Sequence, residues 1–547
     1  MRAGLNVFCV GLLLLVASGG ASGQTAPSAP QVTTGADLKR LIFDWDPVPG
    51  ATYYQLLVST WSPGLPFEVT RDDIPASTTR VQVAIASHLI FWEHIRYIVA
   101  ACNEAGCTNS DQIGVQDQML DTIGYFKASN TQAGDLFGDD VALSSDGQTM
   151  AVTASREASS ATGVNGNQAA NNSPASGAVY VYRRIGGKWQ QVAYLKAGEN
   201  QPEQLLGTGG PLEMRALSIN RNGSLIAVGA SRQDVAGYTD AGAVYLYERS
   251  STGSWSLAKT LHAPKIVAAD FFGASVDLSL NGRVLKVSSY GPRDGAGNPE
   301  GRTHIYIRDA AGAWRRSTTL APFYAGDFCV VTRMSANGLT LVQYCQSFSG
   351  AGRRMVTLKR SGAAWAHASD LAMTGFMLPQ PLAVNDDATQ MAVRGSFFGA
   401  PEVRIYRWFE GVGWRPEINF IPPQNSPVPG SYGASLAFSG DGTVLAMGEP
   451  RAPYGSFPPF LDETGVQQNG VVHLLIRDEG NPELWGQIAY VMAPNPGIGD
   501  AFGNSVALCG TGRTLAVGAP EEDGAARGVD GNRQSNSATD AGAVYLY

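Results

Sequence analysis

Charged residues are scarce in this sequence of 547 residues, where they make up 16% of the chain with a formal net charge of −8. The lack of a basic excess argues against nucleic acid as a partner, because contact with phosphates requires clustered Lys and Arg. Beyond the N-terminal region, no apolar run is long enough for a transmembrane helix, so we expect no membrane span.

The common sequence signatures of catalysis are also missing. The chain has no H-E-x-x-H, G-x-S-x-G or P-loop pattern, and no zinc-type pair of cysteines separated by two residues. We therefore expect a protein that is not an enzyme, with no catalytic residues, no metal site and no cofactor.

Cysteine is rare, with six copies, and the first of them lies in an apolar run, VFCVGLLLLVA (7–17). This run is too short to span a bilayer comfortably, follows the positive charge of Arg2 and precedes the small residues at 21–23. The pattern predicts a signal peptide over 1–23, so the mature protein is expected to be secreted, periplasmic or at the cell surface.

Export would permit disulfide bonds among the five remaining cysteines. Cys102 and Cys107 bracket a short turn, and Cys329 and Cys345 lie almost symmetrically about the turn at 335–338. The spacing predicts these two pairs as disulfides and leaves Cys509 as a small buried residue.

Glycine (65) and proline (30) are abundant, as in proteins of many short strands joined by tight turns, and the chain is repetitive. DAGAVYLY at 540–547 occurs identically at 240–247, and the surrounding pattern recurs seven times over 121–547. A full unit carries four strand-like runs, which predicts an all-β seven-bladed β-propeller. Six units have a Trp at the start of the fourth run: Trp189, Trp255, Trp314, Trp365, Trp414 and Trp485.

The seventh unit stops at Tyr547, after its third run. The stretch at 123–138 parallels those at 192–207 and 488–503, each of which contains the end of a fourth run. We therefore expect this upstream segment to supply the missing strand and close the propeller.

A different pattern precedes the repeats. After a Pro/Ser/Ala-rich linker at 24–30, short alternating runs fill 31–117, with two strands expected in 41–60 and a strand, turn and return strand in 96–110. Trp45 and Tyr54 are expected in the core. With Trp45, Tyr97, Asn103 and Gly106, this segment resembles the fibronectin type III family, which implies a β-sandwich used as a spacer or binding module.

The repeats carry Phe-Gly pairs (Phe137-Gly138, Phe272-Gly273, Phe502-Gly503), the tripeptide at 518–520 and GAVYVY or GAVYLY strands. In these features they resemble the FG-GAP repeat family, found in the propeller of integrin α-chains and in many secreted bacterial proteins. The resemblance implies an FG-GAP β-propeller. Units four and five, around 329–338 and 381–390, depart most from the pattern and are expected to be degenerate blades.

Integrin-type repeats hold calcium in an acidic loop between the first two strands, and a hard cation needs six to eight oxygen ligands. Here the corresponding loops are short, at 144–147, 220–223, 439–442 and 510–512, and we interpret them as hairpin turns. The acidic stretch at 521–530 is an alternative place for an ion. His304 and His473 fall within third strands, where packing is the simpler interpretation.

Carboxylates do not recur at matching positions of several repeats, as a glycosidase acting in a central channel would require. The favoured function is a secreted recognition or adhesion scaffold for an extracellular protein; the alternative is a carbohydrate-binding or glycan-cleaving propeller. The three longest loops, at 155–176, 449–469 and 520–541, contain few aromatic residues, which favours a protein partner over a glycan. The candidate ligand-binding residues in them are Asn165, Asn167, Gln468, Asn469, Asp530 and Asn532.

Overall fold

The computed structural model describes residues 24–59, 66–90, 92–209, 214–291, 293, 297–347, 352–373, 382–397, 400–421, 431–454, 467–478, 480–481 and 484–547. In this part of the chain the regular structure is almost entirely β-strand, and the all-β class is confirmed. The helices described there are one short α-helix, Gln116–Met119, and the 3₁₀ segments Ser87–Leu89 and Leu120–Thr122. The signal peptide predicted over 1–23 lies outside the described residues.

The chain divides into two compact units. One contains the N-terminal residues up to Gly35 together with Ile42–Val83 and Glu93–Gln116. The other contains Ala36–Leu41, Ala84–Trp92 and all of Asp117–Tyr547.

The N-terminal strands form two antiparallel sheets. The two strands expected in 41–60 are present but lie in different sheets, whereas those expected in 96–110 pair directly. Trp45 and Tyr54 are both buried, with ring centroids 5.1 Å apart, as predicted. The strands of the first sheet are Val32–Asp37, Arg40–Trp45 and Arg80–Ala84; those of the second are Tyr53–Ser59, Glu68–Pro75, Arg96–Asn103, Gly106–Asn109 and Ile113–Gly114.

The repeats fold into a series of antiparallel sheets, numbered here in chain order. Sheets 1 to 3 consist of Phe137–Leu143, Thr149–Ala154, Ala178–Ile185 and Lys188–Leu195; Leu217–Ile219, Leu225–Ala230, Ala243–Arg249 and Trp255–Leu261; and Ser275–Leu278, Val284–Ser289, Arg302–Arg308 and Trp314–Leu320.

Sheets 4 and 5 keep the four-stranded order although their sequences depart from the repeat, as expected of degenerate units. Their strands are Asp327–Met334, Thr340–Ser347, Arg353–Ser361 and Ala364–Ala372; and Leu382–Val384, Gln390–Phe397, Ala400–Phe409 and Gly413–Phe420.

Sheet 6 consists of Ser435–Phe438, Val444–Glu449, Val471–Arg477 and Trp485–Val491. Sheet 7 consists of Ser505–Leu508, Leu515–Ala519, Ala543–Leu546, Gly124–Lys127 and the short fifth strand Gly528–Val529. Two small hairpins pair Thr208–Gly209 with Met214–Arg215 and Pro453–Tyr454 with Gln467–Gln468.

Strand Gly124–Lys127 supplies the fourth strand of sheet 7, because it pairs antiparallel with Ala543–Leu546 in the register Tyr545 to Tyr125. The upstream segment therefore completes the last sheet, as the parallel stretches of sequence predict. Phe126 is fully buried and packs edge-on against the rings of Tyr182 and Trp189 in sheet 1.

The sheets follow one another in a cycle. The first strands of consecutive sheets contact each other, and the first strand of sheet 7 contacts that of sheet 1. Backbone hydrogen bonds also join the turn after each first strand to the turn of the next sheet. From sheet 1 onward they run Asp146 N to Arg221 O, Arg221 N to Leu280 O, Leu280 N to Ala336 O, Asn337 N to Asp386 O, Asp386 N to Gly440 O, Asp441 N to Gly510 O and Gly510 N to Ser145 O, at 2.7–3.3 Å.

The repeated tyrosines fasten neighbouring sheets together. The hydroxyl of Tyr182 in sheet 1 donates to the carbonyl of Lys127 in sheet 7, at 2.6 Å. Tyr247 in sheet 2 makes the same bond to Lys196 in sheet 1, also at 2.6 Å. A buried hydroxyl needs a partner, so the carbonyl of the preceding fourth strand accounts for the repeated Tyr.

The cysteines pair as predicted. Cys102 bonds to Cys107 and Cys329 to Cys345, and in each pair the two residues are directly opposite across a strand pair. Cys509 is unpaired and buried.

Candidate functional site

The long loops of sheets 1 and 7 share one backbone arrangement. Asn165 and Asp530 adopt positive φ angles of 55° and 53°, which Asn and Asp tolerate better than most residues. The amide of Asn165 donates to the carbonyl of Tyr194, and its side-chain oxygen accepts from the amide of Tyr194, at 2.7 and 2.9 Å. Asp530 makes the same two bonds to Tyr125, at 2.7 and 3.0 Å. These two predicted ligand-binding residues thus help to hold their own loops.

The other predicted loop residues lie in different surroundings. Asn167 and Asn532 are exposed, and the Oδ1 of each accepts the amide two residues further on, at 3.0 Å. Gln468 belongs to the small hairpin with Pro453–Tyr454. Asn469 is buried, with 3% of its surface exposed, so its side chain is not part of the loop surface. Residues 455–466 of this loop lie outside the described part of the chain.

A buried ion pair ties the long loop of sheet 7 to the fourth strand of the same sheet. The Nζ of Lys127 lies 2.7 Å from Oε2 of Glu522, and both side chains are almost fully buried. Tyr125 donates its hydroxyl to Oε1 of Glu522 at 2.8 Å, and the amide of Gly524 donates to Oε2 at 2.9 Å. Both oxygens of the buried carboxylate are therefore satisfied.

Sheet 1 contains the same device at matching positions. The Nζ of Lys196 lies 2.9 Å from Oε2 of Glu157, and this lysine also donates to Oγ of Ser176 at 2.7 Å. Asn130 and the amide of Ser159 donate to the two carboxylate oxygens, each at 3.1 Å. We call Lys127–Glu522 and Lys196–Glu157 the anchor pairs.

Burial shapes the electrostatics around both anchor pairs. Burial lowers the pKa of Lys127 and Lys196 from the usual lysine value, although the paired glutamate opposes this change. Asp135 and Asp500 occupy matching positions beside the two pairs. Burial, with a contribution from the nearby glutamate of the anchor pair, raises the pKa of each to about 7.

Sheet 6 shows that the anchor pair varies as a unit. Met492 occupies the position of the lysine and Ala452 that of the glutamate, and the two belong to one small apolar cluster. Sequence reasoning missed the anchor pairs. The available signal was the joint presence of Lys and Glu in units one and seven and their joint absence in unit six.

The turns after the first strands use their own acidic and amide side chains. Oδ1 of Asp146 accepts from the hydroxyl of Ser144 and the amide of Gln148, and Asp441 accepts from Ser439 and Thr443 in the same way. These contacts are those of capped hairpin turns, which is the interpretation given to the short loops.

The acidic stretch at 521–530 is also engaged by protein donors. Glu522 belongs to an anchor pair, Asp523 accepts the amide of Asp540 at 3.0 Å, and Asp530 accepts the amide of Tyr125. Their oxygens are directed to separate backbone and side-chain donors in the described structure.

The two third-strand histidines are buried, so they pack in the core and not on the surface. His304 bonds to Ser289 and Thr319, and burial lowers its pKa to about 3. His473 lies with Nε2 2.9 Å from Oε2 of Glu449, a partner that the sequence did not indicate.

The first strands of all seven sheets line one cavity of about 200 Å³. Its polar lining includes Arg215, Ser218, Asp277 and Arg333. The remainder is mostly apolar, with Leu143, Leu217, Ile219, Met334, Leu382, Val384, Leu436, Phe438 and Leu508 among its members. Sequence reasoning did not find this site, because Arg215 lies in an insertion confined to unit two and Arg333 in a degenerate unit.

Comparison with known families gives one match. Residues 485–547, which include the fourth strand of sheet 6 and most of sheet 7, match the model of the FG-GAP repeat. Together with the cyclic order of four-stranded sheets, the match supports an FG-GAP β-propeller. No curated protein matches the chain.

Solved structures include several distant likenesses. Hydrazine synthase of Kuenenia stuttgartiensis is 13% identical with a TM-score of 0.42, covering 71% of this chain and 92% of that one. A periplasmic gluconolactonase of Pseudomonas aeruginosa is 15% identical with a TM-score of 0.40, covering 81% and 97%. The Dos1 propeller is 11% identical with a TM-score of 0.40, covering 77% and 95%. TM-scores below 0.5 do not establish a shared function.

In the described part of the chain, no helix combines the length and apolar composition needed to cross a membrane.

Proposed function

We propose that this chain is a secreted recognition or adhesion protein without enzymatic activity, which binds an extracellular protein through loops of a seven-bladed propeller closed by Gly124–Lys127. The cyclic contacts and turn-to-turn hydrogen bonds support the closed arrangement. In this proposal residues 31–117 form a fibronectin type III-like sandwich that acts as a spacer or second binding module.

The observation that carries the proposal is the way in which the long loops of sheets 1 and 7 are held. Each loop is tied to its sheet by a buried anchor pair and by the paired bonds of Asn165 or Asp530. Exposed polar side chains such as Asn172 and Gln534 project from these fixed loops. A loop held in one conformation loses less entropy on binding, so rigid polar loops suit recognition of a partner.

The test separates loop contacts from loop structure. Asn172→Ala, Arg527→Ala and Gln534→Ala are combined, because all three side chains are exposed and none belongs to an anchor pair. A partner captured by cross-linking from extracellular proteins of the host is identified by mass spectrometry, purified and titrated by surface plasmon resonance. We expect the triple variant to weaken binding at least tenfold with an unchanged melting temperature.

The matched control combines Gln148→Ala and Arg283→Ala. Both side chains are exposed, and each lies immediately before the second strand of its sheet, sheet 1 or sheet 3. This variant should bind the partner as the unmodified protein does. Unchanged affinity of the loop variant, or equal weakening by the control variant, would contradict the assignment of the loops.

One observation favours carbohydrate binding as a second candidate. Phe323 is 51% exposed and stacks on the His367 ring with centroids 4.3 Å apart. The guanidinium of Arg354 lies 4.2 Å from the centre of the neighbouring Tyr324 ring. Exposed aromatic faces beside polar groups give a sugar ring both an apolar surface and hydrogen-bonding partners.

A glycan array tests this candidate with the full chain and its Phe323→Ala variant. If the aromatic cluster binds a glycan, Phe323→Ala should lose that signal, whereas Phe409→Ala, an exposed phenylalanine of sheet 5, should keep it. An array without signal for the unmodified protein would eliminate this candidate and leave the protein-binding proposal standing.

A further inference from the structure

The polar part of the central cavity is built from charged groups that are held firmly in place. Arg333 donates from Nε to the carbonyl of Leu382 at 3.0 Å and from Nη1 to Oγ of Ser275 at 3.2 Å. Its Nη2 has no hydrogen-bond acceptor among the described residues. The guanidinium therefore has a fixed orientation and a terminal nitrogen left for another partner.

Arg215 is anchored in a similar way by groups of sheets 1 and 7. Its Nη2 donates to the carbonyls of Val141 and Val506, at 2.9 and 2.8 Å, and its Nε lies 3.4 Å from Oδ1 of Asp140. In the described structure Nη1 has no acceptor. Both arginines line the same cavity, and each has one guanidinium nitrogen without an acceptor in the described structure.

The charges around this space do not cancel. Lys286 approaches Oδ2 of Asp277 at 2.9 Å, and Asp140 is paired with Arg215, so each carboxylate already has a cationic partner. Arg333 lies farther from Asp277, at 3.7 Å. Three cations against two carboxylates leave one excess positive charge in a low-dielectric site, where an anion would be favoured.

We propose that the central cavity binds a small monocarboxylate, with the carboxylate on Arg215 and Arg333 and a short apolar chain against Leu143, Ile219 and Phe438. A single negative charge matches the excess, and the two oxygens of a carboxylate suit guanidinium donors. A dianion such as phosphate would instead leave a net negative charge, and it has no apolar part to fill the remaining lining. The site is independent of the loop surface proposed for protein recognition.

Isothermal titration of the full chain with straight-chain carboxylates tests the assignment. We expect hexanoate to bind saturably at millimolar concentration or below, and affinity to rise roughly three- to fourfold for each methylene added from acetate to hexanoate. Hexanol lacks the charge and hexylamine has the wrong sign, so neither should bind. The proposal is overturned by the absence of saturable hexanoate binding, or by equal binding of hexanol.

Substitution of the more accessible arginine locates the site. Arg215→Met should weaken hexanoate binding at least tenfold, whereas Arg283→Met, an exposed arginine on the turn of sheet 3, should leave it unchanged. If Arg215→Met does not fold, Arg215→Lys is used instead. Lysine keeps the positive charge but lacks the planar set of N–H donors of the guanidinium, so hexanoate binding should still weaken severalfold. Unaltered binding by a folded Arg215 variant would place the carboxylate elsewhere.

Discussion

The glycine of each Phe-Gly pair is required by both backbone conformation and space. Gly138 has φ of +99°, and a Cβ placed there would lie 2.4 Å from the carbonyl oxygen of Ala543. The preceding Phe137 is fully buried. The conformation and the close approach together explain why this dipeptide recurs where one sheet meets the next.

Gly138→Ala should therefore destabilise the protein by about 2–4 kcal/mol, because it adds a steric clash to the cost of a positive φ. Gly134→Ala is the matched control, since Gly134 has φ of +82° but nothing within 4 Å of its added Cβ. Its cost should be about 1 kcal/mol, from the backbone alone. Urea unfolding measures both, and equal losses would show that the contact with Ala543 is unimportant.

Asp135 and Asp500 should make stability depend on pH. Burial, with the glutamates nearby, raises the pKa of both from 3.8 to about 7, so the folded state favours the protonated acid more than the unfolded state does. The contribution of the two protonated aspartates to the free energy of unfolding is therefore fully present below their unfolded pKa, and it is lost as the pH rises toward 7. Asn resembles the protonated acid, so Asp135→Asn with Asp500→Asn should raise stability relative to the unmodified protein by about 1–3 kcal/mol more at pH 8 than at pH 5.

Denaturant titrations at the two pH values measure this difference. Asp73→Asn, at an exposed position in the N-terminal strands, serves as the control and should show no such change. If the double variant differs from the unmodified protein by the same free energy of unfolding at pH 5 and at pH 8, the pKa values of Asp135 and Asp500 are not raised by the fold.

Each anchor pair joins a long loop to a fourth strand, and loss of one of its two residues should lower the stability of the fold. Lys127→Met leaves Glu522 charged, buried and without its cation, which should destabilise the protein by about 3–5 kcal/mol. Lys127→Met with Glu522→Ala reproduces the Met492 and Ala452 of sheet 6 and should recover part of that loss. A double-mutant cycle by urea unfolding measures the coupling.

The exposed pair of Lys359 and Glu410 is the matched control, with Nζ and Oε2 2.6 Å apart but most of the glutamate in solvent. Replacing both residues, as Lys359→Met with Glu410→Ala, should show no measurable coupling in the free energy of unfolding, because solvent screens the interaction. If the double variant at Lys127 and Glu522 is less stable than Lys127→Met alone, an apolar pair such as that of sheet 6 cannot replace the ion pair in sheet 7.

The features that could be predicted from the sequence are those that recur along it. The matching stretches at 123–138 and 488–503 located the fourth strand of sheet 7, and the turn at 335–338 gave the pairing of Cys329 with Cys345. A repeat superimposes several copies of the same local signal, so strand order and strand pairing become visible even where single units are weak.

The remainder depends on contacts that occur once or that join distant residues. Glu157 and Lys196 are 39 residues apart, and neither stands out until the fold brings them together. Arg215 lies in an insertion and Arg333 in the first strand of a degenerate unit, and only the fold brings them to one cavity. Asn469 looks like an exposed loop residue because its neighbours are polar, but it is buried, and its carbonyl accepts the amide of Phe502.

For the repeat domain as a whole, the last sheet depends on a strand from the start of the domain. Gly124–Lys127 is entirely buried and pairs with Ala543–Leu546, so its removal would expose a strand edge and the rings that pack on Phe126. Deleting 121–130 should cost on the order of 5 kcal/mol or more and promote aggregation, because an unpaired edge recruits other strands. Thermal unfolding and light scattering measure the two effects.

Rescue by the missing strand distinguishes loss of closure from general damage. A synthetic peptide of residues 121–130, added to the deletion variant, should restore the pairing with Ala543–Leu546 and raise the melting temperature as its concentration rises. A scrambled peptide of the same composition should have no effect, because the register places Phe126 opposite Val544 and Tyr125 opposite Tyr545. A deletion variant that melts at the same temperature as the intact protein would show that the cycle of sheets is held by the turn-to-turn bonds and first-strand contacts alone.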